Sequence, residues 1–255
     1  MSMFSAQPVA TPSRTPPLLA PNAALFLDFD GTLAPLARRP DHVLVHPATP
    51  ALIESVMRYL SGALALITGR QLVEVDRMLA PCAFGGAGLH GAEMRLVPGT
   101  LPRLQVTPNI RPLLHALRAR FSADRRILVE DKVACVALHY REAPERMPDC
   151  RDAMTTLAPQ EFEIVPGSMV FEARPRGMNK GRAIHSLLGH APWFGRQPVF
   201  VGDDVTDEDG FIAVQSLGGH GIKVGAAPTS AHYRFSRPDD VFGWLHASLA
   251  AQRSA

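Results

Sequence analysis

Little in this 255-residue chain invites disulfide chemistry: its three cysteines, Cys82, Cys135 and Cys150, form no Cys-x-x-Cys pair and are odd in number. A reduced, cytoplasmic protein fits that pattern better than a disulfide-stapled one. Long apolar runs are also missing. Stretches such as residues 63–67 are far too short to cross a bilayer, so no membrane partner is expected. Charge of one sign is missing as well, with 26 basic residues set against 24 acidic ones for a net +2. That balance supports no nucleic-acid surface and leaves small anionic substrates open. The opening residues hold no charged-then-apolar signal pattern. Residues 1–21 carry Pro8, Pro12, Pro16, Pro17 and Pro21 among small and polar neighbours, and read as a disordered tail without chemistry.

What is present is a hydrophobic fraction of 46%, enough for one full-sized domain with a small second one inserted. The stretch that organises the rest is Leu25-Phe26-Leu27-Asp28-Phe29-Asp30-Gly31-Thr32-Leu33. Its apolar half has the length and bulk of a buried strand. Residues two apart on a strand point the same way, so Asp28 and Asp30 project together from its carboxyl end, where open α/β sheets place their ligands. Two carboxylates at the mouth of an apolar sheet repel each other and lose hydration. An acidic turn after a strand is the plain alternative; a hard divalent cation such as Mg2+ is the chemical one.

A helical pattern over residues 50–60, with Thr49 as its cap, leads to a second buried strand at residues 63–67 that ends in Thr68-Gly69-Arg70. A hydroxyl followed by glycine at a strand end suits a phosphate oxygen, and also suits an ordinary turn. Residues 71–79 continue as a helix. The segment Gly85-Gly86-Ala87-Gly88-Leu89-His90-Gly91-Ala92-Glu93 reads as a glycine-dense loop. It lacks the spacing of a dinucleotide fingerprint, and its glycines serve either close ligand approach or tight turning.

Near residue 102 the alternation changes character. An amphipathic helix over 109–121, strands at 126–129 and 133–140, a helix over 145–157, and a hairpin turning at Pro166-Gly167 form a helix-strand-strand pattern that occurs twice. Segregated pieces of this kind predict a small α+β layer. The expected organisation is a core of 22–102 and 175–255, interrupted by a cap of 103–174. The cap carries Glu130-Asp131-Lys132, His139-Tyr140-Arg141, Glu172 and Arg174. Such charges either solvate strand edges or read sugar hydroxyls. The core resumes with Lys180 in the first turn of a helix, where the macrodipole disfavours a cation unless it faces the two aspartates. A further buried strand at 199–201 then ends in Gly202-Asp203-Asp204-Val205-Thr206-Asp207-Glu208-Asp209, five acids in seven residues. Asp207, Glu208 and Asp209 suit a helix start capped by Thr206, whereas Asp203 and Asp204 sit at the strand tip.

Asp-Phe-Asp-Gly-Thr, the strand-end Thr68, Lys180 at a helix start and Gly-Asp-Asp-x-x-Asp occur in an order that resembles the haloacid dehalogenase superfamily of phosphatases. Asp28 to Pro35, Gly88 to Glu93, Glu130-Asp131-Lys132, His139-Tyr140-Arg141 and Gly202 to Glu208 resemble the trehalose-6-phosphate phosphatase family in particular, over residues 23–249. Thr68-Gly69-Arg70 replaces the more usual Ser-Gly-Arg and keeps the hydroxyl. The resemblance implies a Rossmann-like parallel-sheet core with an inserted α+β cap, and Mg2+-dependent release of phosphate from trehalose 6-phosphate. It implies Asp28 as nucleophile and Asp30 as acid and base. Mg2+ would be held by Asp28, the Asp30 carbonyl and Asp203, with Asp204 and Asp207 supporting them from behind. Thr68 and Lys180 would bind phosphate. His90, Gly91, Glu130, Lys132, Arg141 and Glu172 would face the sugar. The alternatives are a phosphatase for sucrose phosphate or mannosylglycerate phosphate, a phosphohexomutase sharing the catalytic pair, and a non-catalytic sugar-phosphate sensor. A monomer is expected.

Overall fold

The computed structural model describes residues 15–37, 42–105 and 107–252. Its larger layer is an eight-stranded sheet in the order β12-β11-β10-β1-β2-β3-β4-β5. The parallel part runs through β12 (Tyr233–Phe235), β11 (His220–Val224), β10 (Gln197–Gly202), β1 (Ala23–Leu27), β2 (Leu64–Ile67) and β3 (Gly85–Gly88). β4 (Glu93–Arg95) and β5 (Arg103–Leu104) are added antiparallel at one edge. β1 and β2 are buried along their whole length, because helices cover both faces of such a sheet. Those helices are α1 (Thr49–Tyr59), α2 (Leu72–Leu79), α5 (Lys180–Leu188), α6 (Glu208–Ser216) and α7 (Pro238–Gln252). Phe26, Phe200, Phe211, Leu66 and Trp193 fill the core between them.

The smaller layer is a separate four-stranded antiparallel sheet, β6-β7-β9-β8. It is built from β6 (Leu128–Asp131), β7 (Val136–His139), β8 (Phe162–Gly167) and β9 (Val170–Pro175), backed by α3 (Arg111–Arg120) and α4 (Met147–Leu157). Alternation along each strand sorts the side chains by face. Val136 and Leu138 of β7, with Phe171 and Ala173 of β9, pack into a second apolar core with Leu113, Leu117 and Met154 of the helices. The residues between them face the larger layer.

Several local expectations are corrected. Arg103 and Leu104, assigned to the cap, pair with Met94 and Glu93 in the core sheet. The hairpin turns at Ser168-Met169, since Gly167 pairs with Val170, and Pro166-Gly167 lies inside β8. Thr49 is no cap: it begins α1 itself, ahead of Pro50, with its hydroxyl buried and unpartnered. Of the tail, residues 15–21 are ordered against α7, and residues 1–14 lie outside the described residues. Trp244 Nε1 donates to Pro17 O at 2.9 Å, Leu19 N to Ser248 Oγ at 3.0 Å, and Tyr59 OH to Leu19 O at 2.6 Å. Leu19 is buried beneath this strap.

The glycine-dense segment is likewise no loop at first. Gly85–Gly88 is a buried strand, because its neighbours leave no room for side chains. A Cβ on Gly86 would stand 2.2 Å from Leu66 O, and one on Gly85 2.8 Å from Trp193. Glycine is used here for close approach, at some entropic cost to the strand.

Candidate active site

β1 lies between β10 and β2, with Leu27 level with Val201 and with Leu66. The residues just past the three strand ends therefore meet at one edge: 28–30, 202–204 and 68–70. Asp28, fully within the protein, donates its backbone N–H to Val201 O at 2.9 Å. Asn179 caps α5, its side chain accepting from Arg182 N at 2.8 Å. That fixes Lys180 in the first turn with its ammonium pointing at the acids, 2.7 Å from Asp28 Oδ1 and 2.6 Å from Asp207 Oδ1.

Asp207 is buried and fully engaged: besides Lys180, its Oδ2 accepts from the backbone N–H groups of Asp203 and Asp204, each at 2.9 Å. It braces the acidic loop. Thr206, expected as a cap, sits within a short 3-10 turn (Val205–Asp207) that precedes α6. Oxygens of Asp28, Asp203 and Asp207 lie within 4.8 Å of one another, yet Asp203 Oδ1 is buried without a hydrogen-bond partner. Behind it Lys223, also buried, donates to the Asp203 carbonyl. Gly31, at φ +80°, makes the room: a Cβ there would stand 2.0 Å from Asp203 Oδ2.

The electrostatics match this geometry. Burial raises the Asp28 carboxyl well above its ordinary range, and Lys180 only partly opposes it while Asp207 and Asp203 add to it. Burial and then Asp207 push Asp203 up to about 7. Burial works against the Lys180 charge, but Asp207 and Asp28 outweigh it and hold the ammonium above its usual value. The acids outnumber the cation among them, and one carboxylate oxygen of Asp203 is left without a partner. This donor set of hard oxygens fits a divalent cation.

Asp30 turns the other way. Both of its oxygens are taken by Arg70, Nε to Oδ2 at 2.7 Å and Nη2 to Oδ1 at 2.8 Å. Such a two-pronged pair fixes the carboxylate's direction. Arg70 is buried, lies 5.9 Å from the Phe29 ring centroid, and has Glu74 at 3.9 Å. Arg70 is the functional residue that sequence reasoning missed. The signal was its distance from the end of β2, the same as that of Asp30 from β1. Thr68 is buried beside it, its hydroxyl oxygen accepting the Arg70 N–H at 3.1 Å, which leaves the hydroxyl hydrogen to donate. Glu93 holds this turn from behind by accepting the Leu72 N–H at 2.7 Å.

The opposite wall comes from the cap, and the strand register explains its membership. Glu130 of β6 is level with Ala137 of β7, which is level with Glu172 of β9. His139, two residues on from Ala137, shares that face. Glu172 is held on both sides: His90 Nε2 at 3.1 Å from Oε1 and Lys132 Nζ at 3.0 Å from Oε2. Burial opposes its charge, but Lys132 and His90 outweigh it and hold the carboxyl well below the usual range. His90 is delivered from the core by a left-handed run, Leu89 at φ 51°, His90 at 55° and Gly91 at 105°. Burial lowers its basicity. Gly91, expected to line the cleft, packs against α5, where a Cβ would stand 3.2 Å from Ala183. Arg141 lines the cleft and donates to Ser168 O of the hairpin turn at 2.8 Å. Asp28, Lys180, Asp203, Glu130, Lys132 and Glu172 thus open onto a single cleft.

A parallel sheet with paired acids at its strand tips, Lys180 buried among them and a second, antiparallel sheet across the cleft is the fold of haloacid dehalogenase-type phosphatases. A solved phosphatase of that superfamily from Bacteroides thetaiotaomicron shares the fold at a TM-score of 0.61, with 15% identity over 88% of this chain and 93% of the other. Residues 26–239 match the trehalose-phosphatase family model. The chain is 39% identical, over 92% of its length and 90% of the relative's, to trehalose-6-phosphate phosphatase of Escherichia coli K12. The C-terminal domain of Candida albicans trehalose-6-phosphate phosphatase has the same fold (TM-score 0.76, 19% identity, 90% and 92% covered). The chain belongs to the trehalose-phosphatase family.

Proposed function

We propose that this protein releases phosphate from trehalose 6-phosphate by way of a phosphoryl group carried on Asp28. The observation that supports this reading above all is the convergence of Asp28, Asp203 and Asp207 around Lys180, with one Asp203 oxygen left without a partner. Family membership supplies the substrate. Asp28, the Asp30 carbonyl and Asp203 would hold Mg2+, which when bound supplies the positive charge that offsets the repulsion between carboxylate and phosphate. Asp204 and Asp207 hold the loop in place, and Asp207 does so with three hydrogen bonds.

Lys180 neutralises Asp28 before substrate arrives and is positioned to pass to the phosphoryl oxygens, with the Thr68 hydroxyl as a second donor. Asp28 attacks phosphorus and the bond to the sugar oxygen breaks. Asp30 supplies the proton that oxygen takes up, then accepts one from the water that opens the aspartyl phosphate. A carboxyl clamped by both prongs of Arg70 has no proton to give. The pair with Arg70 is therefore a resting position, which Asp30 leaves by taking up a proton from solvent and swinging to the sugar oxygen. The cap face of Glu130, Lys132, Arg141 and Glu172, with His90 beneath, receives the sugar. Closure of cap on core then excludes water from the reacting atoms.

The test is a panel of phosphorylated sugars incubated with purified protein and Mg2+, measuring free phosphate. Release from trehalose 6-phosphate well ahead of sucrose phosphate and mannosylglycerate phosphate is expected, and loss of release on chelation. Equal rates across the panel, or rates indifferent to chelation, would overturn the reading.

A further inference from the structure

The two glutamates of the cap wall stand level with one another across Ala137, yet their surroundings differ. Glu172 is buried between Lys132 of the cap, whose ammonium donates to Oε2, and His90 of the core, whose Nε2 lies 3.1 Å from Oε1. Glu130 has a single close partner, His139, whose Nε2 lies 2.7 Å from Oε2. Among the described residues no hydrogen bond engages Glu130 Oε1. His139 is also off the apolar face of its strand. Its neighbours Val136 and Leu138 fill the second core, whereas His139 and Glu130 both line the cleft. Packing therefore does not require a histidine here.

We infer that His139 is a positioning residue for substrate recognition: it fixes Glu130 so that Oε1 accepts a sugar hydroxyl. A carboxylate can only accept, so the ring must present Nε2–H toward it whichever state the rest of the ring adopts. The diagonal placement of residues 130 and 139 on adjacent antiparallel strands brings long side chains within reach. A glutamate held by one oxygen keeps a fixed direction and an open acceptor. Burial opposes the charge on Glu130, but the His139 hydrogen bond and the nearby Lys132 and His139 charges together outweigh it and hold the carboxyl below its ordinary range. The acceptor is thus kept charged as well as aimed.

This inference rests on the trehalose 6-phosphate reading, and the test separates the two. His139→Leu removes the donor at similar bulk, and His139→Gln restores an N–H at a similar reach. Steady-state rates are compared on trehalose 6-phosphate and on p-nitrophenyl phosphate, which offers no sugar hydroxyls. The expected result is that His139→Leu raises KM for the sugar phosphate about ten-fold, the equivalent of one charge-assisted hydrogen bond. That loss should exceed any on p-nitrophenyl phosphate several-fold, and His139→Gln should recover most of it. In a Glu130→Gln background the His139→Leu step should then cost little further. Equal losses on both substrates, no recovery by glutamine, or fully additive losses would each overturn the inference. A wild-type protein that releases no phosphate from trehalose 6-phosphate would instead defeat the substrate reading on which it stands.

Discussion

The two walls of the cleft bury acids to a similar depth and treat them in opposite ways. On the core side, burial and mutual repulsion raise Asp28 and Asp203 above the ordinary carboxyl range, and Asp203 keeps an orphan oxygen. On the cap side, Glu172 is buried and Glu130 half-buried, but His139, Lys132 and His90 hold both below it. Desolvation acts alike on all four, so the difference lies in their partners. The core wall is short of positive charge, which the proposed cation would supply. The cap wall is already neutral within itself and can recognise an uncharged sugar by hydrogen bonds. In the proposed reaction one face serves the chemistry and the other the selection.

That contrast can be broken most severely from the core side. Asp28→Asn should reduce phosphate release to background while leaving the circular-dichroism spectrum unchanged. Asp30→Asn should cost about 10²–10⁴-fold in kcat as a lost general acid, with substrate still bound. Detectable turnover near the wild-type rate in either purified variant contradicts the assigned roles. Next in size is Arg70→Met, which frees Asp30 from its clamp. Misdirection of a reacting group costs up to about 10²-fold, and the loss should fall on kcat more than on KM. An unchanged kcat would make Arg70 a structural residue only.

Glu172 sharpens the comparison through pH. Its carboxyl is held below the ordinary value of 4.5, so its ties to Lys132 and His90 are complete above that value and weaken as acid protonates it. Thermal melts should show the wild type losing stability below about pH 4.5 more steeply than Glu172→Gln, which carries no such proton. Parallel curves would remove Glu172 from the cap–core tie. The smallest effect belongs to the strap far from the cleft. Ser248→Ala removes the acceptor for Leu19 N and should cost about 1 kcal/mol in denaturant unfolding, without altering kcat.

The core wall was the more legible of the two in the sequence, and the reason is physical. Asp28, Asp30, Asp203 and Asp207 lie within a few residues of strand ends that read plainly as apolar runs, and parallel strands deliver their tips to one edge. Arg70 stayed hidden because its importance depends on β2 lying directly beside β1, which periodicity does not tell. The cap residues were visible as clusters, but who pairs with whom follows from antiparallel register, where Glu130 and Glu172 come level only through Ala137. Gly85–Gly88 was hardest, since glycine argues against a strand until the Leu66 backbone and Trp193 are seen pressing on it. Residues 15–21 were misjudged for a related reason. Proline-rich composition says nothing of a tryptophan and a serine on the last helix, the first donating to that backbone and the second accepting from it.

The division between the walls is tested most directly by calorimetric titration of Mg2+ into the substrate-free protein and two variants, Asp203→Asn and Glu172→Gln. The wild type should bind the ion at one site, Glu172→Gln should bind it with similar affinity, and Asp203→Asn should bind it at least about ten-fold more weakly. Equal weakening in both variants, or an affinity untouched by Asp203→Asn, would contradict the account.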